Sequence, residues 1–411
     1  MIKSTGKWLA LALACTLVFS SCKKTQDVIP TSANTSSTLA PEQQGGSYVS
    51  NQYIVLYHSS SEPATKATAA QSYSDKVTAL QQGSAALLAQ YGVAPSAIKQ
   101  SYVIGVQGIA VTLNEEQLTK LKSDPNIQAI EPDQVIKLDV SPGKTTEDSS
   151  GQTIPWGVAR VGYGPAVGKT VWIIDSGVDM THPDLTVDAT RCKSFLGDST
   201  SAQDQNGHGT HVAGIIAANN NSIGVVGVAA GATVVALRTL DANGMGTMSN
   251  IIAAVDWVAG HAKQGDVVNL SVGGLASGSL DGAVYLTSTL GIFFAIASGN
   301  QASSATDYSP ARVNGENIYT VAAMDVNDMW ASFSNYGMPP IDYCTPGVNI
   351  YSAYLNGGYA TLTGTSMAAP HMAGLLLLDG RNITTSGTVK GDPTGAADPI
   401  PHRASVGVIG G

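Results

Sequence analysis

Basic charge is scarce in this 411-residue chain: 21 Lys and Arg stand against 30 Asp and Glu, a formal net charge of -9. Beyond Lys23 and Lys24 there is no basic cluster, which argues against nucleic acid as a partner. Cysteine is equally sparse, at 4. Two of these fall in the first 22 residues, so Cys192 and Cys344 are the only later thiols, too few for a disulfide framework. The apolar run from Trp8 to Phe19 is too short to span a membrane. No H-E-x-x-H occurs and no carboxylate has ligand spacing, so a catalytic metal is not expected. No G-x-S-x-G elbow occurs either, which excludes a lipase-like hydrolase. What is abundant is glycine, at 45, within a 43% apolar composition, as closely packed helices and sheet with tight turns require.

Lys3 and Lys7 ahead of Trp8 to Phe19 read as an export signal over residues 1–22. Ser20, Ser21 and Cys22 resemble a bacterial lipoprotein processing site, with Phe19 where the stricter pattern has Leu, and this implies lipid on Cys22 and attachment to the cell envelope. Ordinary secretion with cleavage nearby is the alternative. Residues 23–50, rich in Ser, Thr, Pro and Gln, read as a flexible tether.

Two folded units follow. Over 51–140, Tyr53 to His58 reads as a strand, Ser72 to Tyr91 as a helix closed by Gly92, and Tyr102 to Leu113 as a strand pair broken at Gly105 and Gly108. A helix capped by Asn114 and stopped by Pro125 leads to a last strand ending at Leu138. That order predicts a small ferredoxin-like α+β unit. After a polar linker over 141–154, residues 155–411 alternate between apolar β runs ("TVWIID", "TVVALR", "VVNLS", "IFFAIAS", "IYTVAAM") and alanine-rich helical stretches. Near-continuous apolar strands are covered on both faces, so the prediction is α/β, an open parallel sheet with helices on both sides.

Working residues in such sheets gather at the carboxyl ends of the strands. Asp175 ends "TVWIID", His208 stands in "NGHGTHVAG" where a loop becomes a helix, and Ser366 stands in "GTSMAAP" at a glycine-led turn into another helix. A serine hydroxyl attacks only when a base takes its proton, and the base works only when a third group holds its tautomer. If the last helix begins near Thr365, Pro370 falls close to the end of its first turn, where a missing N–H does least harm. The free N–H groups of that turn, with the Asn300 amide after "AIASG", would stabilise an oxyanion.

"IIDSGVDMTHPDL", "NGHGTHVAGIIA", "VNLSVGG", "ASGN" and "GTSMAAPHMAG", in that order, resemble the signature blocks of the subtilisin family of serine proteases. The likeness covers about Pro155 to Leu378 and implies a peptide hydrolase that needs no cofactor for its chemistry. It implies Asp175, His208 and Ser366 as the triad and Asn300 as the oxyanion amide. Ser271, Val272, Gly273 and Gly274 become the edge that pairs with substrate backbone. "ATDYSPA", Ala305 to Ala311, resembles the proteinase K-like branch and implies an apolar pocket for the residue before the cut. Asp342 aligns with an acidic calcium ligand of that branch, but the surroundings at Asn314 to Asn317 differ, which leaves a structural calcium open. Tyr53 to Leu138 is similar to the family's inhibitory propeptide, so self-cleavage is expected between Val140 and Ile154, with the propeptide as an intramolecular inhibitor. A non-catalytic peptide-binding lipoprotein on the same fold is the rival, and has no need of the complete set of reacting residues.

His211, three residues from His208, reads as a packed helix residue, and His182 and His371 as structural hydrogen-bonders. The strand order of the family that the chain resembles implies that Cys192 and Cys344 lie near opposite sheet edges, as free, largely buried thiols. After Leu378 the chain is polar and glycine-rich, with no evident helix where family members usually carry one.

Overall fold

The computed structural model describes residues 47–70, 72–138, 145–146, 151–197 and 201–403. The export signal, Cys22, the tether as far as residue 46 and most of the linker lie outside the described residues.

In the N-terminal unit, β1 (Tyr48–Tyr57) is followed by α1 (Glu62–Ala69), α2 (Tyr73–Ala89), β2 (Ile98–Tyr102), β3 (Gly108–Thr112), α3 (Glu115–Leu121) and β4 (Ile127–Lys137). The four strands pair antiparallel in the order β4-β1-β3-β2, as the ferredoxin-like reading requires. Asn114 and Gln117 form the reciprocal cap that starts α3. The first strand begins at Tyr48, five residues earlier than its apolar part suggests, because its opening residues are largely exposed and carry no hydrophobic signal. Helix α1 was not foreseen; Ser61 caps it and a proline occupies its first turn, a combination that reads equally well as a loop.

The C-terminal unit is built on a parallel sheet whose strands lie in the order Ile341–Pro346, Ile318–Met324, Phe293–Ala297, Val267–Leu270, Thr170–Asp175, Thr233–Arg238 and Thr186–Val187. Along Thr170–Asp175 the side chains alternate between two cores. Val171 and Ile173 face α5 (His208–Ala217) and α8 (Thr365–Asp379), while Trp172 and Ile174 face α6 (Met248–His261) and α7 (Gly278–Ser288). Helix α8 is buried from Thr365 to Leu377, which explains why its sequence has no polar stripe.

The chain after α8 forms an antiparallel hairpin, Thr384–Thr388 with Pro399–His402, in place of a helix. Val389 and Ile400 close over Cys344 and Met324 at the sheet edge, and Arg403 donates to the carbonyls of Val161 and Tyr163 on the far side. The back of α8 is covered instead by α4 (Trp156–Val161) and the segment around Val226 and Val228, which pack on Leu375. Cys344 is buried in one edge strand, and Cys192 precedes Lys193–Ser194 on the opposite side of the sheet; both are free. Cys192 is half-buried, less enclosed than expected, because only a two-residue strand shields it there.

The two units share a sheet: Met245–Thr247, immediately before α6, pairs antiparallel with Val135 to Lys137 of β4. Behind this strand, Asp256 of α6 accepts the backbone N–H groups of Val103 and Ile104 at 2.9 and 2.7 Å and the Tyr73 hydroxyl at 2.9 Å. Burial pushes the Asp256 carboxyl up to about 6 against the pull of these donors.

Helix α8 approaches Val228 so closely at Gly374 that an added Cβ would lie 2.4 Å from the valine Cβ. Gly374→Ala is therefore expected to destabilise the protein by about 1–2 kcal/mol, the overlap outweighing the helix-propensity gain of roughly 1 kcal/mol. A lowered midpoint in denaturant unfolding is the measurement.

Candidate active site

Asp175 lies at the carboxyl end of its strand, wholly buried, and its Oδ1 accepts hydrogen bonds from its neighbour Ser176 N–H and from His208 Nδ1, each at 2.7 Å. His208 is the first residue of α5 and is also buried. Among the described residues its Nε2 and Asp175 Oδ2 have no hydrogen-bond partner.

Helix α5 reaches the strand end because residue 209 is glycine: an added Cβ would stand 2.0 Å from the Gly177 carbonyl oxygen. A second carboxylate, missed by the sequence reading, holds the junction. Asp204 Oδ1 accepts the N–H groups of Asn206 and Gly207 and the Ser176 hydroxyl, each at 2.9 Å. Its Oδ2 accepts Thr210 N–H at 3.0 Å and the Thr210 hydroxyl at 2.6 Å, and Ser176 Oγ in turn accepts Gly209 N–H at 3.0 Å. Burial raises the Asp204 carboxyl, opposed by these donors. The available signal was an acidic residue four positions ahead of His208, at the start of a helix.

Ser366, the second residue of α8, meets the end of the neighbouring strand. Leu270 pairs with Ile174, so Ser271 follows its strand at the same edge that Asp175 ends, one inter-strand spacing away. Ser366 Oγ donates to the Ser271 carbonyl at 3.1 Å, and Ser271 Oγ donates to the Ser366 carbonyl at 3.0 Å. Pro370 explains this exchange. It is the sixth residue of α8, deeper than the end of the first turn where the sequence reading placed it. A proline there has no N–H for the carbonyl four residues back, that of Ser366, and the Ser271 hydroxyl supplies the missing donor.

Asn300 Oδ1 accepts the Thr365 N–H at 2.9 Å and the Thr365 hydroxyl at 2.8 Å, which ties the amide plane to the start of α8. Asn300, Thr365 and Ser366 line one cleft with Ser271 to Gly274, with Tyr308 to Ala311 of the "ATDYSPA" block, and with Ile136 to Leu138 of the N-terminal unit. The backbone ladder with Val135 to Lys137 belongs to Met245–Thr247, which the sequence reading did not single out, while Ser271 to Gly274 line the cleft.

The other histidines are structural. His182 Nε2 meets the Gly358 carbonyl at 3.0 Å, His211 Nε2 the carbonyls of Ile350 and Ala360 at 3.0 and 3.1 Å, and His371 Nδ1 that of Met367 at 2.8 Å. At the position considered for calcium, Asp342 accepts Thr320 N–H at 3.0 Å, while Asn317 Oδ1 accepts Arg381 at 2.7 Å and Glu316 pairs with the same guanidinium. Among the described residues no group of three or more His, Cys, Asp and Glu side chains is placed to hold a metal ion.

Desolvation pulls His211 and His371 down to about 3 and about 4. In the unfolded chain an imidazole protonates near 6.5, so as pH falls the unfolded state takes up the proton first and the folded state loses stability between about pH 6.5 and pH 4. His371 contributes roughly 2–4 kcal/mol to that loss. Denaturant midpoints of Ser366→Ala protein should therefore fall from pH 7 to pH 4, and adding His371→Gln should make the slope shallower.

Residues 167–388 match the Subtilase family, and residues 52–139 match Peptidase inhibitor I9. The thermostable alkaline protease of Halalkalibacterium halodurans is 38% identical over 301 residues, 70% of this chain and 78% of that protein. The extracellular serine proteinase of a Thermus species is 33% identical over 383 residues, 92% of this chain and 90% of the relative. Among solved structures, that of a cold adapted subtilisin-like serine proteinase is similar with a TM-score of 0.54 and 33% identity, covering 61% of this chain and 98% of that one. Subtilase chemistry uses no cofactor. The chain belongs to the subtilase family: it is a serine-type endopeptidase preceded by an I9 propeptide domain.

Proposed function

We propose that Ser366 is the nucleophile, His208 the general base and Asp175 the group that orients and stabilises the imidazolium, in an exported enzyme that removes its own propeptide. The observation that carries this is the buried Asp175–His208 hydrogen bond of 2.7 Å, with His208 Nε2 unpartnered among the described residues and Ser366 bonded to Ser271 at the end of the neighbouring strand. Asp175 holds Nδ1 protonated, so Nε2 keeps its lone pair for the serine proton. The serine hydroxyl rests on the Ser271 carbonyl and would leave it, by rotation about χ1 between staggered wells, to pass its proton to the imidazole. As Oγ bonds to the substrate carbonyl carbon, negative charge develops on its oxygen beside the positive end of α8. Thr365 fixes the oxygen end of the Asn300 amide at the start of α8, which supports its role as an oxyanion donor there. The imidazolium then returns its proton to the leaving amine, and water repeats the sequence to free the acyl group.

Ala297, Tyr308, Pro310 and Ala311 in the cleft support a preference for an apolar residue before the cut. The propeptide over 51–140 would block the peptidase over 155–411 until cleavage within 141–154. Leu138, which lines the same cleft as Ser366, supports that reading. Export rests on the leader sequence and on the extracellular character that the Thermus relative's name records. The lipid on Cys22 rests on the sequence alone. Among the described residues no helix is long and apolar enough to cross a membrane.

Ser366→Ala expressed beside the wild type is expected to keep its propeptide joined and to hydrolyse no peptide, read by N-terminal sequencing and a peptide assay; cleavage by the variant would exclude this mechanism. Asn300→Ala is expected to lower kcat by about 10²- to 10³-fold with little change in KM, the order of loss known from subtilisin itself on removal of its oxyanion amide. Steady-state kinetics of the processed enzyme measure it.

A further inference from the structure

Two propeptide carboxylates are seated in helix N-termini of the peptidase. Glu131 and Asp133 are two residues apart on β4, so their side chains leave the same face of the strand. Asp133, fully buried, accepts Ser249 N–H at 3.0 Å and the Ser249 hydroxyl at 2.5 Å in the first turn of α6. Glu131 accepts Ser279 N–H at 3.1 Å and the Ser277 hydroxyl at 2.7 Å at the start of α7. These helices are 14 and 11 residues long, so each presents unpaired N–H groups and a full dipole end. In the same turn of α7, Ser279 Oγ is fully buried and has no hydrogen-bond partner among the described residues.

The strand that carries both carboxylates continues into the cleft. Its next residues, Val135 to Lys137, pair with Met245–Thr247, and Leu138 lines the same cleft as Ser366. The two sockets therefore stand at fixed register along any extended peptide in this cleft, five and seven positions ahead of the one Leu138 occupies. Release of the propeptide uncovers the Ser249 and Ser279 N–H groups. A carboxylate that refills them makes charge-assisted hydrogen bonds, which a neutral amide cannot match.

We propose that in the processed enzyme these sockets form an acidic exosite that selects extended peptides with carboxylates at those two positions. This rests on the peptidase reading above and adds a substrate class to it. General electrostatics would not produce such a preference, because the chain as a whole carries a formal net charge of -9.

The test uses processed wild-type enzyme cleaving a short chromogenic peptide that has no acidic residue, with three octapeptides as competitive inhibitors. The first has the sequence of residues 131–138; the second replaces its Glu and Asp by Gln and Asn; the third keeps both carboxylates but moves each one position along, onto the opposite face of the strand. The first should inhibit about tenfold more tightly than either of the others at low salt. The gap should narrow in high salt and in Ser249→Ala and Ser277→Ala enzymes. Equal inhibition by the first and second peptides would overturn the exosite while leaving the peptidase reading intact. A shifted peptide as tight as the first would also overturn it, as register-independent attraction. Absence of chromogenic cleavage would overturn the peptidase reading, and the exosite with it.

Discussion

The catalytic edge depends on one buried carboxylate that takes no part in the proposed chemistry. Asp204 gathers four donors from the loop and first turn that lead into α5 and a fifth from Ser176, the residue next to Asp175. Without it those donors would be buried and unpaired, each costing about 1–3 kcal/mol, and the helix that carries His208 would have no fixed seat on the strand. With it, the 2.7 Å contact between imidazole and Asp175 is set by two rigid elements rather than by a loop.

The serine side of the cleft is arranged by a comparable exchange. Proline in α8 removes one helical hydrogen bond, and the carbonyl it frees is the serine's own. Ser271 answers with its hydroxyl and receives the serine hydroxyl on its carbonyl, so the end of one strand and the start of one helix are locked together. The lock secures the start of the helix that carries Ser366, whose positive end faces the cleft.

The propeptide uses the same kinds of contact. Its last strand extends the sheet edge at Met245–Thr247, its carboxylates at 131 and 133 cap α6 and α7, and Asp256 of α6 reciprocates by accepting propeptide N–H groups. Carboxylates on helix ends and strand pairing at an open edge are both directional, so they fix the register in which the chain enters the cleft. A slowly folding parallel sheet gains a template from such an arrangement, since contacts distant in sequence are made against a surface already formed.

The sequence by itself determined the alternation of apolar strands and helices and the ferredoxin-like order of the first unit, and it marked Asp175, His208 and Ser366 as candidates, because strand ends and glycine-led helix starts are local signals. It also indicated that α8 is buried on all sides. It did not reveal α1, whose start looks like a loop, or the hairpin over Cys344, whose exposed strand has no apolar alternation. Nor did it show the depth of Pro370 and its consequence for Ser271, the role of Asp204, or the choice of Met245–Thr247 as the edge that pairs with the entering chain. These rest on hydrogen bonds and strand pairings such as Asp204 with Thr210, Ser271 with Ser366 and Met245 with Lys137, and which donor meets which acceptor is decided only once the chain is folded.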